Sequence, residues 1–287
     1  MKFGVLSIAF GEIGYRELAR KIGSYGFDAT HMELKHILDI DHAPGKLSTG
    51  CANMLAEEFQ RHGVRIQALG MYTNLVDVNE ERRQYGINQL KEHLRYARDF
   101  GASVVTTETG TVNPHSPWEH HPDNRKEESW IKLRAAVEEL AEEAEKWGVF
   151  LGLEGYYNNV IDTLAAMERM LREVPSSNIG IVMDPCNYIT QKDEPRQDEV
   201  IQEAFDKLSD RILIAHAKDF NYRHDDDTAE HKMVQPAAGT GYLNYPLYLK
   251  LLHERKPYVK IYLEHLAEHQ MLTSMSFVRQ IAESVRG

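Results

Sequence analysis

The 287-residue chain predicts a single domain, residues 1–287, folded as a closed (β/α)8 barrel of the α/β class. Three observations carry that expectation. Short apolar or β-branched runs alternate with amphipathic helical stretches along the whole chain, the pattern of a parallel sheet covered by helices. Eight such units follow one another with no break in composition, which favours closure into a barrel over an open doubly wound sheet. The strand runs are also near-continuously apolar, as parallel strands buried on both faces are. No Gly-x-Gly-x-x-Gly follows the first strand, which speaks against a dinucleotide-binding sheet.

Each element can be placed in order. KFGVLSIAF is the first strand, and Leu18, Ala19 and Ile22 mark one face of the first helix, broken at Gly26. FDATHMEL is the second strand, ending near Glu33, and an irregular stretch from His36 to Gly50 follows, with Pro44 and Gly45 marking a loop. A helix with Met54, Leu55 and Phe59 stops near Gly63, and VRIQALGMY gives the third strand. The next helix runs from Glu80 to Phe100, with Ile87, Leu90, Leu94 and Ala97 three or four apart and Gly101 as its stop. SVVTTETG is the fourth strand, and it leads into the long polar loop TVNPHSPWEHHPDNR, of the kind that serves as a lid or binding loop. Trp130, Leu133, Val137, Leu140 and Ala144 define a helix that ends at Gly148, before the strand VFLGLEG. Helices with Leu164, Met167 and Leu171, and with Ile201, Ala204 and Phe205, precede the strands IGIVMD and RILIAHA. A second long loop, Phe220 to Gly241, contains the charge run Asp225 to Asp227 and closes on Gly-Thr-Gly. The last units are a helix with Tyr245, Tyr248, Leu249 and Leu252, the strand VKIYLEH, and a helix with Phe277, Val278 and Ile281. The strands therefore end near residues 10, 34, 71, 107, 154, 184, 216 and 264.

The last four of those endings share a chemistry. Apolar runs stop on Glu154, Asp184, His216 and Glu264. A carboxylate at the end of a buried strand is costly unless it is paired, hydrogen-bonded or bound to metal. In a barrel the carboxyl ends of the strands converge on one mouth, so these four side chains face a common point. Taken singly, each has a plain structural role open to it, as a helix cap or a partner for a barrel Lys or Arg. Together, in sequence order, they read as the ligands of one divalent cation. Three carboxylates and one imidazole, without a thiolate, suit Mn²⁺, Mg²⁺, Co²⁺ or Zn²⁺.

Composition narrows the partners. A formal net charge of −11 and a pI near 5.7 disfavour a nucleic acid, whose binding draws on basic surface. No apolar run approaches the ~20 residues of a membrane span, so no membrane partner is expected. Cys51 and Cys186 are too few for a disulfide framework, and no signal-peptide pattern opens the chain, which together imply a reducing, cytoplasmic setting. Homo-oligomer formation is left open.

The motifs LGLEGYYNN, IVMDPCN, HAKD, GTGYLNY and YLEH, in this order, resemble the xylose isomerase-like TIM barrels: sugar-phosphate isomerases and epimerases, inosose-processing enzymes and endonuclease IV relatives. The architecture matches over nearly the whole chain, the motifs only after about Gly148. The resemblance implies that Glu154, Asp184, His216 and Glu264 hold one divalent cation. It also implies that Glu154 and Glu264 exchange protons with a substrate. Many relatives have a His three residues after the metal-binding Asp, touching substrate oxygens, where this chain has Asn187, which can hydrogen-bond a hydroxyl but not shuttle a proton. Lys218, Trp118, Glu108 and Glu33 are further candidates for substrate contact at the mouth, Trp118 as an apolar lid. His115, His120 and His121 read as solvated loop residues, and the Gly239 to Gly241 turn as weak evidence for phosphate.

A site with three carboxylates favours a substrate offering neutral oxygens, such as adjacent carbonyl and hydroxyl groups. The expected activity is therefore a metal-dependent isomerase or epimerase of a small keto sugar or inositol-like ketone, with proton transfer through an enediolate. An inosose-type dehydratase, using the same metal and base, is the nearest alternative. An endonuclease IV-like phosphodiesterase and a non-catalytic metal-binding barrel rank lower.

Overall fold

The computed structural model describes residues 1–224 and 231–285. Eight parallel strands close a barrel: β1 (Lys2–Leu6), β2 (Ala29–Glu33), β3 (Arg65–Gly70), β4 (Val104–Glu108), β5 (Phe150–Glu154), β6 (Ile179–Met183), β7 (Ile212–Ala217) and, after a short hairpin, β10 (Lys260–Leu263). Each strand pairs with its sequence neighbour, and β10 closes onto β1 through the Lys2–Lys260 to Val5–Leu263 register. The helices α1 (Tyr15–Ser24), α2 (Thr49–Arg61), α3 (Glu80–Phe100), α4 (Glu127–Trp147), α5 (Leu164–Glu173), α6 (Gln197–Leu208), α7 (Tyr245–Arg255) and α8 (Met271–Ser284) form the outer ring.

The helix ends follow from their capping residues. Asn79 opens α3 by accepting from the Arg82 amide, and Gly101 closes it at φ 85°. Thr163 and Asn244 do the same at the starts of α5 and α7, accepting from Ala166 N and Leu247 N. The faces predicted to be apolar are buried: Ile87, Leu90, Leu94 and Ala97 of α3 pack against the sheet, as do Leu133, Val137, Leu140 and Ala144 of α4.

Inside the barrel lies a second, smaller apolar layer of Leu6, Ala29, Ala68, Val104, Val182, Ile214 and Tyr262. Tyr262 can cross the interior because β1 carries Gly4 opposite it; a Cβ there would stand 2.6 Å from the tyrosine ring. This layer is the floor on which the polar mouth rests.

Two expectations about elements are corrected. The first strand stops at Leu6, and Ser7–Phe10 turns into a 3-10 helix. The reason is a contact with the neighbouring strand: the Ser7 hydroxyl accepts the Glu33 amide at 2.8 Å, so the side chain takes the place of a backbone ladder bond. The Phe220–Gly241 segment is not an open loop, since Asn221–His224 (β8) and His231–Val234 (β9) form an antiparallel pair. Asp225 to Asp227 lie outside the described residues.

Candidate metal centre

Strand side chains alternate between the two faces, so a residue two positions beyond a barrel-filling one also points inward and lies one layer nearer the mouth. Val182 is followed by Asp184, Ile214 by His216 and Lys218, Tyr262 by Glu264, and Val104 by Thr106 and Glu108. Ala29 in the same way leads to His31 and Glu33. The alternation that fills the interior thus also builds the site.

Glu154, Asp184, His216 and Glu264 meet as expected, with ligand atoms all within 4.8 Å of one another. His216 Nδ1 stands 3.3 Å from Glu154 Oε1, 3.9 Å from Asp184 Oδ2 and 3.2 Å from Glu264 Oε2. Asp184 Oδ2, His216 Nδ1 and Glu264 Oε2 are buried and are met by charge rather than by a well-formed hydrogen bond: the two carboxylate oxygens face the Lys218 ammonium, and the imidazole nitrogen faces the carboxylates. Buried ligand atoms that converge on one point through charge contacts, with no well-formed hydrogen bond of their own, fit the coordination of a cation. The donor set, three carboxylates and a neutral-capable imidazole, suits a hard or borderline divalent ion.

The charges are strongly interdependent. Burial pushes the Asp184 carboxyl up to about 6, with the Lys218 ammonium working against it. Burial would also raise Glu264, but Lys218 and His216 hold it well below the usual carboxylate range. For His216 burial favours the neutral ring, and the Glu154 and Glu264 carboxylates override it, holding the imidazole well above its ordinary value. Lys218 lies 2.9 Å from Asp184 Oδ2 and 3.2 Å from Glu264 Oε2, and these neighbours keep it charged despite its burial.

Behind the ligands sits a supporting layer. His216 Nε2 is 3.2 Å from His31 Nδ1, and His31 Nε2 is 2.8 Å from Thr106 Oγ1. One proton assignment satisfies the row: His216 Nε2–H donates to His31, His31 Nε2–H to Thr106, and the Thr106 hydroxyl to the Leu69 carbonyl at 3.4 Å. It directs Nδ1 of His216 toward the carboxylates. Burial and the nearby His216 hold His31 well below the ordinary imidazole range, in keeping with a neutral ring. Glu154 is held on both oxygens, by the Tyr72 hydroxyl at 3.0 Å and by the Asn187 amide at 2.9 Å.

The remaining candidates separate. Glu33, Glu108, Trp118 and Lys218 line a cavity of about 730 Å³ at the barrel mouth, together with Glu264. Glu33 is paired with Lys35 at 2.9 Å, and Glu108 accepts from Asn159 at 3.1 Å. Burial beside the Glu154 charge lifts the Glu108 carboxyl to about 8. Asn187 takes a different place from the one expected. It is 1% exposed and does not line that cavity; its amide braces Glu154, and Gln235 donates to its oxygen at 3.4 Å. His115 and His120 are exposed, and His121 Nδ1 caps a turn by accepting from Asp123 N; among the described residues only the four ligands form a metal-competent group. The Gly239–Gly241 turn gives its amides to an internal anion, Asp219, which accepts from Phe220, Gly239 and Leu243 at 2.9 to 3.0 Å. A Cβ on Gly241 would sit 2.4 Å from the Phe220 carbonyl, so close packing explains the glycine without phosphate.

Sequence reasoning did not single out Tyr72, Tyr156, Gln235 or His265, all of which line the cavity. Tyr72 carried a usable signal, since its apolar run VRIQALGMY also ends on a polar atom. His265, next to Glu264, has φ 52°, the one non-glycine residue with positive φ among the described residues.

The profile described as a xylose isomerase-like TIM barrel matches residues 16–281. Among solved structures, a xylose isomerase-like TIM barrel protein from Mycobacterium smegmatis, in complex with magnesium, superposes with a TM-score of 0.75 at 18% identity, covering 100% of this chain and 98% of that one. A D-tagatose 3-epimerase-like protein gives 0.75 at 22% identity over 100% and 98% of the two chains. The 3-keto-D-glucoside 4-epimerase of E. coli gives 0.70 at 20% identity over 98% and 99%. At such identities the likeness is one of fold. No curated protein matches the chain in sequence.

Proposed function

The chain belongs to the xylose isomerase-like TIM barrel family, and from that premise we propose that it is a divalent-cation-dependent isomerase or epimerase of a small keto sugar or inositol-like ketone. The observation that carries the reading is the convergence of ligand atoms from Glu154, Asp184, His216 and Glu264, all within 4.8 Å of one another, beneath a cavity of about 730 Å³. The names of similarly folded proteins support it: two are described as an epimerase or epimerase-like, and one was solved with magnesium.

Glu154, Asp184, His216 and Glu264 would hold the cation. When bound, it supplies Lewis-acid polarisation of a carbonyl, which makes the neighbouring C–H acidic. The protein's own groups do the rest. Glu154 and Glu264 stand on β5 and just after β10, separated in the barrel by β6 and β7, and are assigned the two proton transfers. Glu264 opens on the cavity, whereas Glu154 lies behind Tyr72, so the cavity-side transfer falls to Glu264. The Lys218 ammonium, 3.2 Å from Glu264, stabilises that carboxylate until it takes a proton. Trp118 and Tyr156 wall the cavity and exclude water from one side. Proton transfer of this kind contributes ~10² to 10⁴-fold in rate.

One observation favours a second reading, loss of water from the same substrate class. Glu108, whose carboxyl burial beside Glu154 lifts to about 8, lines the cavity, as an acid that hands a proton to a departing hydroxyl would. The test is a panel of keto sugars and inososes incubated with the Mn²⁺-loaded protein. Epimers or isomers of unchanged mass establish the first reading; products lighter by one water establish the second.

A further inference from the structure

The mouth cavity does not end at Trp118. A second hollow of about 510 Å³ opens between the start of α3 and the Thr111–Arg125 loop, and the two share Tyr72, Glu108 and Trp118 as a common wall. The shared residues place the two hollows side by side, as adjoining compartments of the cleft at the barrel mouth. The first lies over the metal ligands, through Lys218 and Glu264. The second is lined also by Asn74, Asp77, Arg82, Tyr85 and Pro117.

Most polar groups of the second compartment are already engaged, and the exposed carboxylate of Glu81 adds only negative charge to its lining. Arg82 donates twice to Asp77, at 2.9 and 3.0 Å, so the pair presents no net charge. Asn74 spends its amide on the Thr111 carbonyl and its oxygen on the amides of Val76 and Thr111. The large side chains left with free surface are aromatic. Tyr85 is 50% exposed and Trp118 48%, and both border this one hollow. Exposed aromatic faces grouped around a concave site, with Arg82, Asp77 and Asn74 satisfied internally, suit a ring with an apolar face.

Charge selects further. The cations lining the described part of the cleft are Lys35, Lys218 and Arg82, and each is matched by a carboxylate at 2.9 Å: Glu33, Asp184 and Asp77. A phosphate would meet no unpaired cation among them, and three metal-ligand carboxylates lie nearby.

We propose that the cleft takes its keto sugar as an unphosphorylated glycoside, with the reacting ring over the Glu154, Asp184, His216 and Glu264 cluster and a second neutral ring in the Tyr85–Trp118 compartment. The inference rests on the reading of that cluster as the reaction centre. It extends it by naming the preferred substrate class: a disaccharide or aryl glycoside of the keto sugar, bound more tightly than the free or phosphorylated monosaccharide.

The experiment is calorimetric titration of the Mn²⁺-loaded protein with matched sets of probes. Each set holds the methyl, phenyl and glucosyl glycosides of glucose or galactose oxidised to the ketone at C2, C3 or C4, in both anomeric forms, with the corresponding free keto sugar and its 6-phosphate. In at least one set, the phenyl or glucosyl member binds about ten-fold or more tightly than the methyl member, and the phosphate gives no gain. Tyr85→Ala and Trp118→Ala bring that ratio back toward one. Both residues are half exposed, so neither change removes core packing, and circular dichroism confirms the fold. A gain with the glucosyl member alone marks a sugar as the second ring; a gain with phenyl alone marks an aryl group. Equal binding of ring-bearing and methyl glycosides in every set overturns the second compartment and leaves the reaction centre standing, as does a gain that survives both alanine variants. Failure of every probe to bind, free sugars included, overturns the reaction-centre reading along with it.

Discussion

Replacing His31 with Phe is expected to loosen the cation site from behind. His31 touches none of the carboxylates; its part is to accept the Nε2–H of His216 at 3.2 Å and pass the polarity on to Thr106 at 2.8 Å. Phenylalanine keeps a ring among His216 and Tyr262, whose centroids lie 5.3 and 5.6 Å away, but offers no acceptor. The His216 N–H is then buried without a partner, at a cost of about 1–3 kcal/mol. Supporting hydrogen bonds of this kind are worth ~10 to 100-fold in metal affinity, which agrees with that cost at 1.4 kcal/mol per factor of ten. Mn²⁺ affinity is measured by titration for the parent, His31→Phe and His31→Asn. Asparagine can present its oxygen close to where Nδ1 stood, so it should recover much of the loss. A His31→Phe variant that binds Mn²⁺ as tightly as the parent refutes the hydrogen-bonded row. So does an Asn variant no better than Phe.

Cation binding should weaken as pH falls through about 6. Asp184 must be ionised to be a ligand, burial has lifted its carboxyl to about 6, and His216 must also give up its Nδ1 proton, so each lost pH unit adds proton competition. Titrations at pH 5, 6 and 7 check this; affinity independent of pH contradicts it. The fold has its own acid-sensitive group in His93, fully buried on α3, where it donates Nδ1–H to the Gln89 carbonyl at 2.8 Å and leaves Nε2 without a partner. Burial lowers this imidazole to about 4, so between 6.5 and 4 the unfolded chain takes up a proton that the native state refuses. Stability present above pH 6.5 is therefore lost on acidification, by about 3 kcal/mol at pH 4, and His93→Leu should flatten that limb of the urea-unfolding profile. Finally, with a net charge of −11, the protein should not nick an abasic duplex at physiological salt; efficient metal-dependent nicking on a gel would reverse the ranking of functions.

What the sequence disclosed, it disclosed through period and contrast. Apolar runs closing on Glu154, Asp184, His216 and Glu264 stand out because a charge has no cheap place at the end of a buried strand, and the helix from Glu80 to Phe100 stands out because its apolar spacing and terminal Gly101 agree. Other features depend on a single side chain finding a distant partner. Ser7 ends β1 by capturing the Glu33 amide, 26 residues away, and no local pattern announces that. Asn187 sits where a substrate contact was expected, yet the turn after β6 points its amide at Glu154. His31 lies in a strand run, ATHME, whose alternation gives the facing but not the partner. The β8–β9 strands are only four residues each, Asn221–His224 and His231–Val234, too short for apolar alternation to mark them in the sequence.

The central claim is that this mouth moves a proton on and off carbon, and solvent exchange measures that directly. The Mn²⁺-loaded protein is incubated in D₂O with the panel of keto sugars and inososes, and deuterium beside the carbonyl is followed by NMR and mass spectrometry. The account predicts metal-dependent incorporation for at least one substrate, abolished by chelation and reduced ~10² to 10⁴-fold by Glu154→Gln or Glu264→Gln in protein confirmed to retain its metal. Incorporation at the parent rate in both fully metallated variants, or none in the parent with any substrate, would contradict it.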